Sequence, residues 1–318
     1  MCCLFGLIDY GHSLTMRQKT RLIAALSVAA EARGTDATGI AYNSGGKLRV
    51  YKRPIPAHLL RLHIPHNAYA VMGHTRMTTQ GDEKFNFNNH PFAAHVPGAD
   101  FPLAHNGVLY NDETLRRQHK LPETHIQTDS YIAVQMLEHR QELSMESLAW
   151  MAEQLSGSFT FTVLDGQDNL YFIKGDNPFC LVHWPQLGVY VYASTKEILF
   201  KALERFRPCA ELSQMVEIEE GGILRVDRRG QFTRAEFDTS NLYRQWSFYG
   251  GWNEYPMQRV TTQTAQINRA YIEELKAVAG VYGWDPASVD RLLAEGFTCE
   301  EIEEYLYESS YEGCLCEL

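Results

Sequence analysis

The sequence predicts an α+β fold, and three observations predict it. Short apolar runs, rich in β-branched and aromatic residues and separated by turn residues, recur from residue 3 to residue 237. Helical patterns flank them towards both ends of the chain. One run, Phe159-Thr160-Phe161-Thr162-Val163, alternates with period two, as a strand with one buried face does. Many strands with helices on either side suggest a four-layer αββα sandwich built on two sheets, although the pattern alone leaves other α+β layouts open. At 318 residues and 45% hydrophobic, the chain has the material for one large domain, or for one domain and a small appendage.

The elements follow in order. Residues 3–9 read as a strand that holds Cys2 at a sheet edge, with Gly11, His12 and Ser13 turning the chain after it. Ser13 or Thr15 caps a helix running to about residue 32, with Leu22, Ile23, Leu26 and Ala30 on one face. Residues 39–42 and 48–52 form two strands around Asn43-Ser44-Gly45-Gly46, a hairpin signal. Residues 68–74 are a further buried strand that leads into Arg76. Residues 80–89 are polar and carry three Asn, which makes them a loop of the length that often serves as a lid. Helices begin at Asp112 and Thr128, and a third spans residues 145–155. Strands follow near 171–173, 180–183 and 189–193, then a helix over 195–205, then three strand-like runs ending near Phe237.

Composition shifts at residues 243–256, which are rich in Trp, Tyr and Gly. The expected division is a domain over 2–240 and an acidic helical extension over 241–318. Three helices are expected in the extension: one over 262–280, one capped by Asp285-Pro286 and stopped at Gly296, and one opened by the Thr298/Glu301 capping box. From Asp285 to Leu318 ten acidic residues stand against one Arg. That balance, and the net charge of −10, oppose nucleic-acid binding, which needs a basic face. Packing on the first domain or on a partner is the expected role of the extension.

The seven cysteines lie at positions 2, 3, 180, 209, 299, 314 and 316. They make no even disulfide framework, so a reducing compartment fits best. No Cys-x-x-Cys pair or His cluster completes a zinc site, and no cofactor is expected. Apolar runs such as residues 179–182 are too short to cross a bilayer, and the start of the chain lacks a secretory signal pattern. A cytoplasmic location with no membrane contact is therefore expected.

The feature with the most chemistry is the start, Met1-Cys2-Cys3-Leu4-Phe5-Gly6. A small second residue permits removal of Met1. Cys2 then carries a thiol, with an ordinary pKa of about 8.5, and a free α-amine, with one of about 7.7–8.0. One residue would thus hold both nucleophile and general base.

Further segments give that start a context. They are Arg33-Gly34-Thr35-Asp36-Ala37-Thr38-Gly39, Gly73-His74-Thr75-Arg76-Met77-Thr78-Thr79-Gln80-Gly81, Asn89-His90-Pro91-Phe92, Ala104-His105-Asn106-Gly107-Val108-Leu109-Tyr110-Asn111, and Thr128-Asp129-Ser130. Behind an N-terminal Cys and in this order, they resemble the class II, N-terminal-nucleophile glutamine amidotransferases over residues 2–235. The resemblance selects the four-layer αββα sandwich. It implies hydrolysis of the L-glutamine side-chain amide with Cys2 as nucleophile, Asn106 and Gly107 as oxyanion donors, Arg76 on the substrate carboxylate and Asp129 on its ammonium group. Thr79 would complete the pocket, and Arg33 would support the N-terminus near the nucleophile. These residue types suit the task. A guanidinium fork binds a carboxylate bidentately, and preorganised donors stabilise the tetrahedral oxyanion. His74, His90 and His105 correspond to structural or loop positions, and Asp36 to a turn.

The chain departs from the family at Met77, where an aromatic is usual, at Gln80, where His is frequent, and at Cys3, where Gly is common. The first two changes bear on lid closure and on coupling to synthesis. The segment after the glutaminase-like region, about 80 residues, is too short for a sugar isomerase, phosphoribosyltransferase or ATP-dependent synthetase domain. Any acceptor of the ammonia is therefore expected on a separate synthetase or acceptor subunit. Two alternatives stay open: a hydrolase of another γ-glutamyl or acyl amide, and a non-catalytic glutamine-binding regulatory domain. The self-base mechanism yields a direct expectation. Intact-mass measurement of active protein should find it lighter by one methionine, and active protein that retains Met1 would overturn the mechanism.

Overall fold

The computed structural model describes residues 2–206 and 213–242, and then 272–273, 275–276, 279–280, 284–294 and 302. The chain divides into two compact units, Met1–Tyr249 and Gly250–Leu318.

In the first unit, β1 (Cys3–Asp9), β2 (Ala37–Ser44), β3 (Lys47–Arg53), β4 (Ala70–Arg76), β9 (Cys180–Trp184), β10 (Val189–Ala193) and β11 (Gln214–Met215) form a seven-stranded sheet. Its order is β11-β9-β10-β1-β4-β2-β3. The strands β5 (Phe92–Val96), β6 (Ala99–Leu109), β7 (Gly157–Leu164), β8 (Leu170–Lys174), β12 (Gly222–Val226) and β13 (Phe232–Glu236) form a six-stranded sheet, in the order β13-β12-β8-β7-β6-β5. Neighbouring strands run antiparallel in both.

Three apolar clusters define four layers. Helices α1 (Met16–Ala29) and α5 (Lys196–Leu203) lay Leu22, Ile23, Leu26, Ile198 and Leu199 on the outer face of the first sheet, against Phe5, Leu7, Val71 and Val191. Helices α2 (Asp112–Gln118), α3 (Tyr131–Arg140) and α4 (Met145–Gln154) cover the second sheet, with Ile132, Met136, Leu148 and Met151 against Phe101, Leu103, Phe159 and Phe161. Between the sheets lie Leu4, Ile8 and Met72 from one side and Phe172, Leu224 and Val226 from the other. Strand β1 therefore sends Cys3, Phe5 and Leu7 outward and Leu4 and Ile8 inward, and both faces are buried. This is the four-layer αββα sandwich.

Local chemistry sets the boundaries. Thr15, rather than Ser13, caps α1: its hydroxyl accepts from Gln18 N at 3.3 Å, and Gln18 Oε1 accepts from Thr15 N at 2.9 Å. Ser13 N instead donates to Asp9 Oδ1 at 3.0 Å. The helix tightens into a 3-10 turn, Ala30–Arg33, which delivers Arg33. Thr195 caps α5 through Ile198 N. Three expectations need correction. Strand β1 lies between β10 and β4, so Cys2 sits at the end of an interior strand and not at a sheet edge. Strand β7 is buried on both faces, with Thr160 and Thr162 at 0% exposure, because the other sheet covers its polar side. The helix after Thr128 starts at Tyr131, since residues 128–130 form the turn that presents Asp129. Edge strand β3 has a simpler pattern, with Lys47, Arg49, Tyr51 and Arg53 all exposed.

In the second unit, α6 (Ala287–Ala294) begins where Asp285 Oδ1 accepts from Ala287 N at 3.1 Å, and Lys276 pairs with Asp290 at 2.9 Å. Most of the helix expected over 262–280, the Thr298/Glu301 capping box, and Cys209, Cys299, Cys314 and Cys316 lie outside the described residues. Among the described residues no helix is long and apolar enough to cross a membrane.

At the end of β1 remote from Cys2, Lys19 and Asp9 form an ion pair at 3.0 Å with both side chains fully buried. Lys19 also donates to the carbonyls of His66 and Ala68, at 2.8 and 2.6 Å. Asp9 accepts from Ser13 N and Leu14 N. Removing one partner of such a pair strands a buried charge, at a cost of about 3–5 kcal/mol. Lys19→Met should accordingly lower the denaturant midpoint of the first unit, and an unchanged midpoint would refute this account of the α1 junction.

Candidate active site

The site begins with strand register. β1 and β4 pair with Cys3 opposite Thr75, so continuing the ladder by one residue sets Cys2 beside Arg76. Arg33 Nε donates to the Cys2 carbonyl at 3.0 Å and ties down the residue before the strand. The Cys2 thiol donates to Met77 O at 3.6 Å. On the other side of β1, Leu4 N donates to Ser194 Oγ at 2.8 Å and Leu4 O accepts from Ser194 N at 2.9 Å. Cys3, one residue on, points into the outer core and away from Cys2.

Burial pushes the Cys2 thiol above its ordinary pKa, the nearby Arg76 charge works against that, and Asp129 adds to it. Cys2, Arg76 and Asp129 are thus mutually within electrostatic reach. Arg76 is only 2% exposed. Its Nη1 donates to Asn89 Oδ1 at 2.7 Å, and its Nη2 donates to Gln80 O and Gly81 O at 2.6 and 2.9 Å. Three of the five guanidinium N–H donors therefore have acceptors among the described residues, both of those on Nη2 included.

The turn after Arg76 is clasped by residues 33–36. Asp36 N donates to Arg76 O at 3.0 Å, and Asp36 Oδ2 accepts from Thr78 N at 2.7 Å. Gly34 packs so closely that a Cβ there would stand 2.4 Å from Arg76 C. Residues 80–89 are pinned by two adjacent amides. Asn88 Nδ2 donates to Asp82 O and Gln127 Oε1, both at 2.9 Å, and Asn89 Nδ2 donates to Glu83 O at 2.7 Å. Lys52 Nζ donates to Asn89 O, and burial together with the Arg76 charge lowers its pKa to about 8.

The second sheet supplies the rest. Asn106 and Gly107 lie in β6, and Leu109 N on the same strand donates to Asp129 Oδ2 at 2.6 Å. Ser130 Oγ donates to Asp129 Oδ1 at 3.3 Å and accepts from His105 Nδ1 at 2.7 Å. Burial raises the Asp129 pKa, while these hydrogen bonds and the Arg76 charge restrain the rise. The Asn106 side chain is fully buried, and neither Nδ2 nor Oδ1 has a partner among the described residues. A buried amide with no partner is costly, and it suits a site that a ligand oxygen completes. Gly107 has φ +140°, and a Cβ there would stand 1.9 Å from Ser158 O.

The sequence-derived residues thus separate into groups. Cys2, Arg33, Arg76 and Asp129 are joined by contact or charge, and Asn106 and Gly107 share the strand that holds Asp129. Thr79 is exposed, with no hydrogen bond among the described residues. Sequence reasoning gave no role to Asn88, Lys52 and Asn177, and none to Asn89 and Ser130 although the quoted motifs contain both. For Asn88 the only signal was the Asn-rich loop. Lys52 and Asn177 act across distances in sequence that no local pattern records.

Residues 74–201 match the family model described as a glutamine amidotransferase domain. Glutamine–fructose-6-phosphate aminotransferase (isomerizing) of Geobacillus kaustophilus (strain HTA426) is 28% identical over 309 residues, which is 92% of this chain and 48% of that protein. The enzyme of the same name from Halalkalibacterium halodurans is 29% identical over 182 residues, 55% of this chain and 30% of that one. Among solved structures, glutamine phosphoribosylpyrophosphate amidotransferase from B. subtilis, complexed with ADP and GMP, superposes with a TM-score of 0.57 at 17% identity over 76% of this chain and 50% of that one. A structure described as the allosteric regulatory enzyme of purine biosynthesis gives 0.59 at 18% identity, with the same shares. The fold is that of these solved amidotransferases, and residues 74–201 carry the match to a glutamine amidotransferase domain. The chain spans about half the length of the relative matched over most of it.

Three buried imidazoles back the site. His74 Nε2 donates to His105 O at 2.9 Å, and the rings of His74 and His90 lie 4.3 Å apart. Burial drives His74 and His105 down to about 3 and His90 well below its ordinary value. They are neutral at working pH. Each binds a proton in the unfolded chain below pH about 6.5 but resists one in the fold. Their contribution to stability is therefore complete above that pH and is lost as pH falls towards about 3. Denaturation curves from pH 7 to 4 should show that decline, and His90→Phe should flatten it; identical slopes for the two proteins would contradict this assignment.

Proposed function

We propose that the chain hydrolyses the side-chain amide of L-glutamine to glutamate and ammonia through a Cys2 thioester, and that the ammonia passes to an acceptor site on a partner domain or subunit. The observation that carries the reading is the convergence on Cys2 of a buried cation, Arg76, and a buried carboxylate, Asp129. That pair matches the opposite charges of an amino-acid head group. An acyl amide without a head group would give neither charge a partner.

In this reading Cys2 is N-terminal, and its α-amine takes the thiol proton. Sγ then bonds to the amide carbon, and the carbonyl electron pair moves onto oxygen, where the Asn106 amide and the Gly107 N–H receive it. The α-ammonium returns the proton to the leaving nitrogen, the C–N bond breaks, and ammonia departs from the thioester. Water, deprotonated by the same amine, attacks the thioester carbon. The second intermediate expels the thiolate, which regains a proton, and glutamate leaves. A thiol whose pKa burial raises needs such a base beside it. The relatives' other halves are the natural counterpart of the acceptor site.

Steady-state kinetics with glutamine, and with an analogue lacking the α-carboxylate, test the reading. Cys2→Ala should abolish turnover, while Cys3→Ala should keep most of it. Diazo-oxo-norleucine should label Cys2. Arg76→Ala and Asp129→Ala should each raise KM by an amount corresponding to about 2–5 kcal/mol. Asn106→Ala should lower kcat by about 10²–10³-fold. Equal cleavage of both substrates by the wild type would favour a general amide hydrolase, and glutamine binding without turnover would favour a regulatory domain.

A further inference from the structure

We infer that Asn177 is a positioning residue for the oxyanion site: its side-chain amide holds the carbonyl end of the Asn106–Gly107 peptide, and so aims and polarises the Gly107 N–H. The inference rests on the glutaminase reading above and extends it to a residue in the turn between β8 and β9.

Asn177 Nδ2 donates to Asn106 O at 3.1 Å and to Ser158 Oγ at 2.8 Å. The Asn177 backbone oxygen accepts from Thr160 Oγ1 at 3.1 Å, and the residue is buried. The orientation of the amide is dictated, because a carbonyl oxygen can face only a donor. The turn carrying Asn177 is itself fastened to β7. Gly175 N donates to Phe159 O at 3.0 Å, and Asp176 Oδ1 accepts from Phe159 N at 2.9 Å. Those bonds occupy the backbone of Phe159, the residue opposite Gly107 in the ladder.

The peptide bond is planar, so Asn106 C=O and Gly107 N–H share one rigid plane and point in opposite directions. A donor on the oxygen fixes the direction of the N–H. It also withdraws electron density through the amide, and linked hydrogen bonds strengthen one another by about 10–30% per bond. Gly107 shows how closely this plane is gripped. A Cβ on it would meet Asn177 Nδ2 at 2.7 Å as well as Ser158 O at 1.9 Å. Substrate glutamine would not touch Asn177 in this arrangement. The effect would reach the reaction only through the peptide, and only once charge develops on the carbonyl oxygen.

That timing separates the role from a structural one. In the full chain with Met1 removed, Asn177→Ala should lower kcat about tenfold, a fraction of what losing a direct oxyanion donor costs. Asn177→Asp keeps the size, replaces the donor by an acceptor facing Asn106 O, and should cost more. KM for glutamine, the Kd for glutamate by calorimetry and the rate of Cys2 alkylation by iodoacetamide should each stay within about twofold, because none of them builds an oxyanion. The inference is overturned if both variants turn over at the wild-type rate, if kcat falls only together with glutamate affinity and alkylation rate, or if neither variant folds. A wild type that hydrolyses no glutamine removes the parent reading and this one with it. An active wild type beside fully active variants removes the Asn177 role alone.

Discussion

A guanidinium that is 2% exposed has to be hydrogen bonded, and much of the first unit's architecture around the site answers that demand at Arg76. The carbonyls of Gln80 and Gly81 turn back to it, and Asn89 brings its side-chain oxygen to it. The loop over residues 80–89 is therefore ordered from beneath by a charge rather than from within by an apolar core. The same charge sits beside the Cys2 thiol and the Asp129 carboxyl, two groups whose burial disfavours ionisation. Remove the cation and the loop loses its anchor while both groups lose the field that favours their charged forms. Substrate selection and loop order thus share one residue.

The two ends of β1 show how one strand serves opposite purposes. At its far end Asp9 is engaged by two backbone N–H groups and by Lys19. At its near end Cys2 is held by its backbone through Arg33, and among the described residues its thiol has only a long contact to Met77 O. The imidazoles behind the site are held differently, and neither ring nitrogen of His90 has a hydrogen-bond partner among the described residues. They are close to Arg76 and look reactive in sequence, yet burial keeps them neutral. A cationic imidazole there would repel the guanidinium, so neutrality is what lets the cluster pack against it.

Much of this was legible in the residues. Strand β1, the β2–β3 hairpin, α1 with its Thr15 cap and α5 with Thr195 follow from periodicity and capping chemistry, which act within a few residues. Strands β5 and β6 were not legible as strands. Pro102 interrupts the β6 pattern, and Asn106-Gly107 reads as a turn, whereas in the fold that pair lies mid-strand and Gly107 supplies the backbone conformation that lets β6 press on β7. The site divides in the same way. Cys2, Arg76 and Asp129 carry their charge or nucleophile in their own side chains, so a motif can mark them. Asn177, Ser130 and Lys52 matter through what they touch, and Asn177 meets Asn106 across 71 positions of sequence. Nothing local encodes that meeting; the closure of the second sheet creates it.

Among the described residues strand β3 ends the first sheet with no strand paired beyond it, and its exposed residues are Lys47, Arg49, Tyr51 and Arg53. No acidic residue occurs from Ala37 to Gly81, although the whole chain is strongly acidic. Two copies meeting edge to edge in a twofold arrangement about Val50 would set Lys47 of each against Arg53 of the other. Like charges directly opposite on paired strands are unfavourable, and cationic edges are a common guard against such zipping. Its charge therefore disfavours pairing of this edge with the same edge of a second copy.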